Sequence, residues 1–94
     1  MKKEEHLLVC LSEECAEIIK AVDKSLRFGL DDHHPNESAS NYDRLEYELN
    51  DLYGVVELLS DVGLHFPVDK NQVEEKKEKL KKYMEYAEAK GMIE

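Results

Sequence analysis

The chain has 94 residues, which is enough for one domain and too few for two. Its 22 acidic and 13 basic side chains give a net charge of -9, which disfavours a nucleic-acid backbone as a partner unless a basic face is segregated. No stretch approaches the roughly 20 apolar residues of a membrane span, and no N-terminal segment has the pattern of a secretion signal. We therefore expect a single domain over residues 1–94 in the cytoplasm, with neither nucleic acid nor membrane as a partner.

The two cysteines, Cys10 and Cys15, lie five residues apart within one helical pattern. At this spacing two side chains point about 140° apart on an α-helix, so they cannot easily bridge each other. We expect both to be reduced and Cys15 to lie in the core.

The first segment with helical periodicity runs from about Glu4 to Phe28. Apolar residues recur along it at three- and four-residue steps, and no segment of the chain alternates with the period of a strand. Gly29 follows as a left-handed C-terminal stop. A loop rich in turn-forming residues then runs from Leu30 to about Ser40.

The second helix is predicted to begin near Ser40 or Asn41 and to end at Gly63. Ser40 with Asp43 three residues later fits a capping arrangement. Gly54, inside this helix, costs roughly 1 kcal/mol relative to alanine. This glycine is either a substitution that the helix tolerates or a sign of a close helix–helix contact.

The third helix is predicted from a capping box of Asp69 and Gln72 to about Lys90, before Gly91. Its apolar stripe is sparse, and its lysines are interleaved with glutamates at salt-bridging spacing. The three segments predict an all-α fold, an antiparallel helical bundle of three main helices. Three helices leave an open face, which oligomerisation would cover by completing four-helix bundles.

Acidic residues stand beside the apolar stripe of the first helix. On a helical wheel with Leu11 at zero, Glu14 falls near about -60° and Glu17 near about -120°. Glu13 falls near about -160°, on the far side. Glu14 therefore borders the stripe, Glu17 is one step further round, and the role of Glu13 stays open.

The second helix repeats this geometry. With Leu49 at zero, Glu48 falls near about -100° and Asp51 near about -160°. Both helices thus carry an acid pair at i, i+3 on one flank of the apolar stripe. If the helices pack antiparallel through these stripes, the four carboxylates can converge at the seam.

Four carboxylates without a nearby base raise one another's pKa and disfavour ionisation. A hard divalent cation relieves this, and all-oxygen ligation is what Mg²⁺ or Mn²⁺ prefers. The alternative is that two i, i+3 acid pairs arise by chance in a chain this acidic. A di-iron site is disfavoured, because no helical Glu-x-x-His pair is present.

Three motifs occur in one order: EExxE at residues 13–17, KSLRFG at residues 24–29 and ELNDL at residues 48–52. Together they resemble the MazG-like all-α nucleoside triphosphate pyrophosphohydrolases, and the resemblance covers nearly the whole chain. It implies a Mg²⁺-dependent hydrolase, with Mn²⁺ as a possible substitute, that cleaves a (d)NTP to the monophosphate and pyrophosphate. The open face of three helices, rather than the resemblance, is the reason to expect a homodimer or homotetramer, and the sequence leaves the choice between them open.

The resemblance further implies roles for individual residues. The catalytic and metal-binding residues would be Glu14, Glu17, Glu48 and Asp51. The phosphate-binding residues would be Lys24, Arg27, Lys79 and Lys82. For Lys79 and Lys82 the other interpretation is a solvated helix face.

The chain departs from the family pattern in a long interval between Glu17 and Glu48, caused by the loop at residues 31–40, and in Asn50, which replaces a smaller residue. The loop bears on substrate identity, as a lid or in base recognition. Two other functions stay open: a non-catalytic module that senses nucleotide or binds a protein partner, and a structural oligomerisation domain.

Overall fold

The computed structural model describes residues 1–94 and contains three α-helices and no strand. Helix α1 is Lys3–Phe28, α2 is Asn41–Asp61 and α3 is Lys70–Ala89. The all-α prediction is confirmed, and the ends of the helices lie within two residues of those expected. None of the three helices combines the length and the apolarity needed to cross a membrane.

The turn between α1 and α2 is fixed by local signals in the sequence. Gly29 ends α1 with φ at 96° and donates its N–H to the Ser25 carbonyl at 2.8 Å. Ser40 Oγ accepts from the Asp43 N–H, and Asp43 Oδ2 accepts from the Ser40 N–H, both at 3.1 Å. This reciprocal pair is a capping box, as the sequence predicts.

Helices α1 and α2 form an antiparallel hairpin. The first turn of α1 meets the last turn of α2, where His6 and Leu7 border one depression with Leu58 and Val62. Only Leu59 is fully buried, while Ala21 and Asn41 are each 8% exposed. The core of the chain is therefore a thin seam between two helices.

Helix α3 packs on neither α1 nor α2 and buries none of its residues. Its start is capped by Asp69, whose Oδ1 accepts from the N–H groups of Asn71 at 2.9 Å and Gln72 at 3.1 Å. The return hydrogen bond from Gln72 that would complete a capping box is not formed. The radius of gyration is 16.9 Å, against about 12 Å for a compact chain of this length. The expected packing of three helices into one bundle is thus not formed within the chain.

Cys15 is exposed and Cys10 is half-buried, and both are free thiols. The prediction that Cys15 lies in the core is therefore wrong. The half-buried and buried residues of α1 centre near about -50° on the wheel, whereas Cys15 falls near about +40°. The apolar stripe of α1 is wider than the face that α2 covers.

Apolar side chains remain exposed on all three helices. They include Ile19, Leu26, Tyr53, Leu80, Tyr83 and Met84. A Cβ added at Gly54 would meet nothing within 4 Å. No other helix of the chain therefore packs closely against this glycine. Much of the predicted apolar surface has no partner in the hairpin.

Candidate metal centre

Three carboxylates come together at the seam of the hairpin. They belong to Glu14 of α1 and to Glu48 and Asp51 of α2, and one oxygen of each lies within 4.8 Å of the others. Glu48 and Asp51 share a side of α2 because they are three residues apart. The antiparallel packing of α1 then brings Glu14 level with them.

Glu14 lies near the centre of the buried face of α1, at about -60° on a face centred near about -50°. The wheel placed it at the border of the apolar stripe, but α2 covers that border rather than the middle of the stripe. Glu14 Oε2 is closed off from solvent and has no hydrogen-bond partner. A carboxylate oxygen in this position is costly to ionise unless a cation or a proton compensates it.

The surroundings of Glu14 raise its pKa above the ordinary value of 4.5. Loss of hydration is the largest cause, followed by the negative charges of Asp51 and Glu48, and then of Glu17 and Glu13. Each of these effects disfavours the ionised carboxyl group. The site is therefore one in which added positive charge would be stabilising.

No basic side chain of the protein supplies this charge. The four ion pairs of the chain involve none of Glu14, Glu48 and Asp51. The donor set consists of carboxylate oxygens alone, which is the set that Mg²⁺ and Mn²⁺ prefer. The residues present thus fit a hard divalent cation.

Glu17 and Glu13 lie outside this close group. Glu17 is exposed, and its Oε2 lies 3.7 Å from Lys20 Nζ one turn along the helix. It is near enough for its charge to affect the pKa of Glu14, and Glu13 has the smallest such effect. The structure therefore groups three of the four predicted ligands and leaves Glu17 beside them.

Lys24 and Arg27 lie toward the loop end of the hairpin. Lys24 is ten residues beyond Glu14, about 15 Å along the axis of α1, and borders a depression between the two helices and the loop. The Arg27 guanidinium lies 5.0 Å from the centre of the Phe28 ring. Neither side chain joins the carboxylate group.

Lys79 and Lys82 lie on α3, where they border an open depression with three glutamates of the same helix. Because α3 packs on neither α1 nor α2, the two lysines are not brought to the carboxylates of their own chain. Their exposed position within the chain matches the solvated-face interpretation.

The sequence analysis missed Arg44, which lies on α2 four residues before Glu48 and borders the same depression as Lys24. It pairs with Glu37 of the loop. The signal was available in principle, because residues four apart on a helix share a side. The spacing could not predict that the loop folds back onto Arg44.

The close group of three carboxylates and the basic side chains toward the loop are features of one hairpin. The carboxylates offer oxygen atoms alone, and lysine and arginine side chains lie further along the same helices. No protein-family model, curated protein or solved structure matches the chain.

Proposed function

We propose that the protein is a Mg²⁺-dependent nucleotide pyrophosphohydrolase of the MazG-like kind, which cleaves a (d)NTP to the monophosphate and pyrophosphate. The observation that carries the proposal is the group of Glu14, Glu48 and Asp51 around a carboxylate oxygen buried without a partner. The resemblance of the motifs at residues 13–17, 24–29 and 48–52 supports it. Mn²⁺ would also suit the all-oxygen donor set.

In this proposal Glu14, Glu48 and Asp51 hold the cation, and Glu17 is a further ligand one turn along α1. When bound, the cation supplies positive charge to the triphosphate oxygens and to the water that attacks phosphorus. One carboxylate of the group accepts the proton that this water loses. Bound divalent cations would offset the negative charge of these carboxylates, and this would let an acidic chain hold an anionic substrate.

Lys24 would bind phosphate oxygens, while Arg27 lies one turn nearer the loop, against the Phe28 ring. Lys79 and Lys82 lie too far from the carboxylates of their own chain, since α3 does not pack on the hairpin. If they contact phosphate, they do so at the site of a second copy. A homodimer or homotetramer that completes four-helix bundles would also cover the apolar side chains that one chain leaves exposed.

The proposal is tested by a panel of standard and modified (d)NTPs with Mg²⁺ or Mn²⁺ and detection of pyrophosphate. The expected result is cation-dependent release of pyrophosphate from at least one nucleotide. Glu48→Gln should lower kcat/KM at least about 100-fold. Loss of a residue that only supports a metal ligand already costs up to about 100-fold, and loss of a ligand itself should cost at least as much. Glu57→Gln, an exposed acid of the same helix, is the matched control and should retain activity. No turnover of any nucleotide would contradict the proposal.

The unpartnered apolar face of α3 favours a second candidate, a non-catalytic module that senses nucleotide or binds a helical partner. Calorimetry separates the two, because the module binds nucleotide without forming pyrophosphate. The melting temperature separates the proposed hydrolase from a purely structural domain. Mg²⁺ should raise the Tm of the wild type and not that of Glu48→Gln, since only a folded-state site gives such a shift.

A further inference from the structure

A depression of about 340 Å³ opens between the end of α1, the loop and the start of α2. Its lining includes Lys24, Phe28, His33, His34, Asn41 and Arg44. The volume lies at the small end of the range of about 300–1,000 Å³ for small-molecule pockets. It suits one nucleoside and is too small for a whole nucleoside triphosphate.

The depression and the carboxylate group lie on the same side of the hairpin. On the two wheels, Lys24 and Arg44 both fall near about -140°, on the flank that carries the acids of each helix. In an antiparallel pair these two flanks face the same side. Arg44 precedes Glu48 by about 6 Å along α2, so a ligand in the depression could extend along the seam to the carboxylates.

The start of α2 does not itself offer a phosphate site. The N–H groups of Asn41 and Tyr42 donate to loop carbonyls at 2.8 and 2.9 Å, and that of Asp43 donates to the Ser40 hydroxyl. The first backbone donors of the helix are therefore occupied. The cationic groups of the depression are the side chains of Lys24 and Arg44, which lie nearer the carboxylates than Phe28 and Asn41 do along their helices. They share the lining with Asp32 and with Glu37, the ion-pair partner of Arg44.

The loop end of the depression is lined by flat rings. Phe28 is 56% exposed there, and two imidazoles stand beside it in the lining. His33 Nδ1 contacts the His34 carbonyl at 2.9 Å, so this nitrogen is the donor and Nε2 the acceptor of a neutral ring. His34 Nδ1 accepts from the Asn36 N–H at 3.3 Å, which places the proton of its neutral ring on Nε2. The rings thus offer a stacking surface, one acceptor and one donor.

The amide of Asn41 adds an acceptor to this lining. The residue is 8% exposed, and its Nδ2 donates to the Gly29 carbonyl at 2.9 Å. That hydrogen bond fixes the orientation of the amide and leaves Oδ1 without a partner in the chain. A fixed acceptor in a pocket can discriminate between ligands by the N–H groups that they present.

We infer that this depression is the nucleobase subsite of the proposed enzyme. The base stacks on Phe28, the Asn41 Oδ1 accepts from an amino or imino group on its edge, and the phosphates extend past Lys24 and Arg44 toward Glu48. The inference rests on the proposed function, since it takes a nucleotide as the ligand.

The first test is an NMR titration of the full chain with AMP, GMP, CMP and dTMP in the absence of divalent cations. The expected shifts lie at the backbone amides of Phe28, His33, Asn41 and Arg44, and their size depends on the base. Shifts confined to α3 or to the first half of α1, or no shifts with any of the four nucleotides, would overturn the inference. This measurement needs no catalysis, so it decides the subsite even if the chain hydrolyses nothing.

The second test is Phe28→Ala, with Tyr53→Ala as the control. Tyr53 is 59% exposed and lies on the opposite side of α2 from Arg44, near about 40° on the wheel. Phe28→Ala should raise KM for the preferred nucleotide about 5- to 150-fold, the range expected for one lost base–aromatic stack. Inhibition by tripolyphosphate, which has no base, should be unchanged. Equal KM values for the two variants would overturn the subsite and leave the proposed activity standing.

Discussion

The hairpin and α3 are built from similar helices but have different surroundings. Helices α2 and α3 have 21 and 20 residues and both begin with a side-chain cap. Helix α2 places Leu59 out of contact with solvent, while α3 leaves Leu80 and Tyr83 at 46% and 60% exposure. An apolar stripe thus indicates that a helix needs a partner, but not whether its own chain provides one.

The acids of the two regions differ in the same way. On α3, Glu74 lies 3.1 Å from Lys77, and Glu78 lies 3.3 Å from Lys81. In the hairpin, Glu14 lies beside two other carboxylates and pairs with no basic side chain. Glutamates with compensating lysines form an ordinary solvated face, whereas those at the helix seam leave their negative charge uncompensated by the chain.

The largest expected effect separates the two regions by stability. Leu59→Ala should lower the free energy of unfolding by about 2–5 kcal/mol, because it leaves a cavity in the seam. Leu80→Ala on α3 should change it by no more than about 0.5 kcal/mol in dilute protein, as is usual for surface positions. Urea unfolding followed by circular dichroism measures both. A comparable loss for the two variants would show that α3 is part of the folded core.

A smaller effect is expected from the helix caps. Ser40→Ala should lower the stability of the hairpin by about 1 kcal/mol, because it removes one half of the capping box. Asp69→Ala should instead fray the start of α3 and leave the hairpin unaffected. Amide hydrogen exchange, read residue by residue, is the measurement. Faster exchange around Leu59 in the Asp69 variant would contradict the separation of the two regions.

The smallest expected effect is in the pH dependence of the cation-free protein. Because the pKa of Glu14 is raised in the folded state, the folded chain binds more protons than the unfolded chain at pH values between 4.5 and the raised pKa. Stability should therefore fall as the pH rises through this window. Glu14→Gln should remove that part of the slope, measured by urea unfolding in the presence of EDTA. The matched control, Glu74→Gln on α3, should leave the slope as it is in the wild type.

Local features of the fold could be predicted from the sequence. The bounds of the helices, the capping box at Ser40 and Asp43, and the stop at Gly29 depend on residues a few positions apart. The pairing of Glu48 with Asp51 is of the same kind, since an i, i+3 spacing fixes a shared side on any helix.

Features that depend on packing could not be predicted in this way. The wheel took its zero from the apolar stripe of α1, and half of that stripe is not covered by the chain, so Cys15 was assigned to the core and Glu14 to its border. The isolation of α3 and the loop that folds back onto Arg44 likewise depend on contacts between distant segments.

In the proposed enzyme, the buried Oε2 of Glu14 lowers stability at a position that activity requires. An apolar side chain such as leucine or methionine would fill this part of the seam without the cost of an unpaired carboxylate. A library of variants selected for thermal stability alone should therefore accumulate apolar substitutions at Glu14 and lose the response to Mg²⁺. Such a trade-off between stability and activity is characteristic of functional positions. The substitutions that accumulate at residue 14 under this selection would therefore test independently whether the seam has a function.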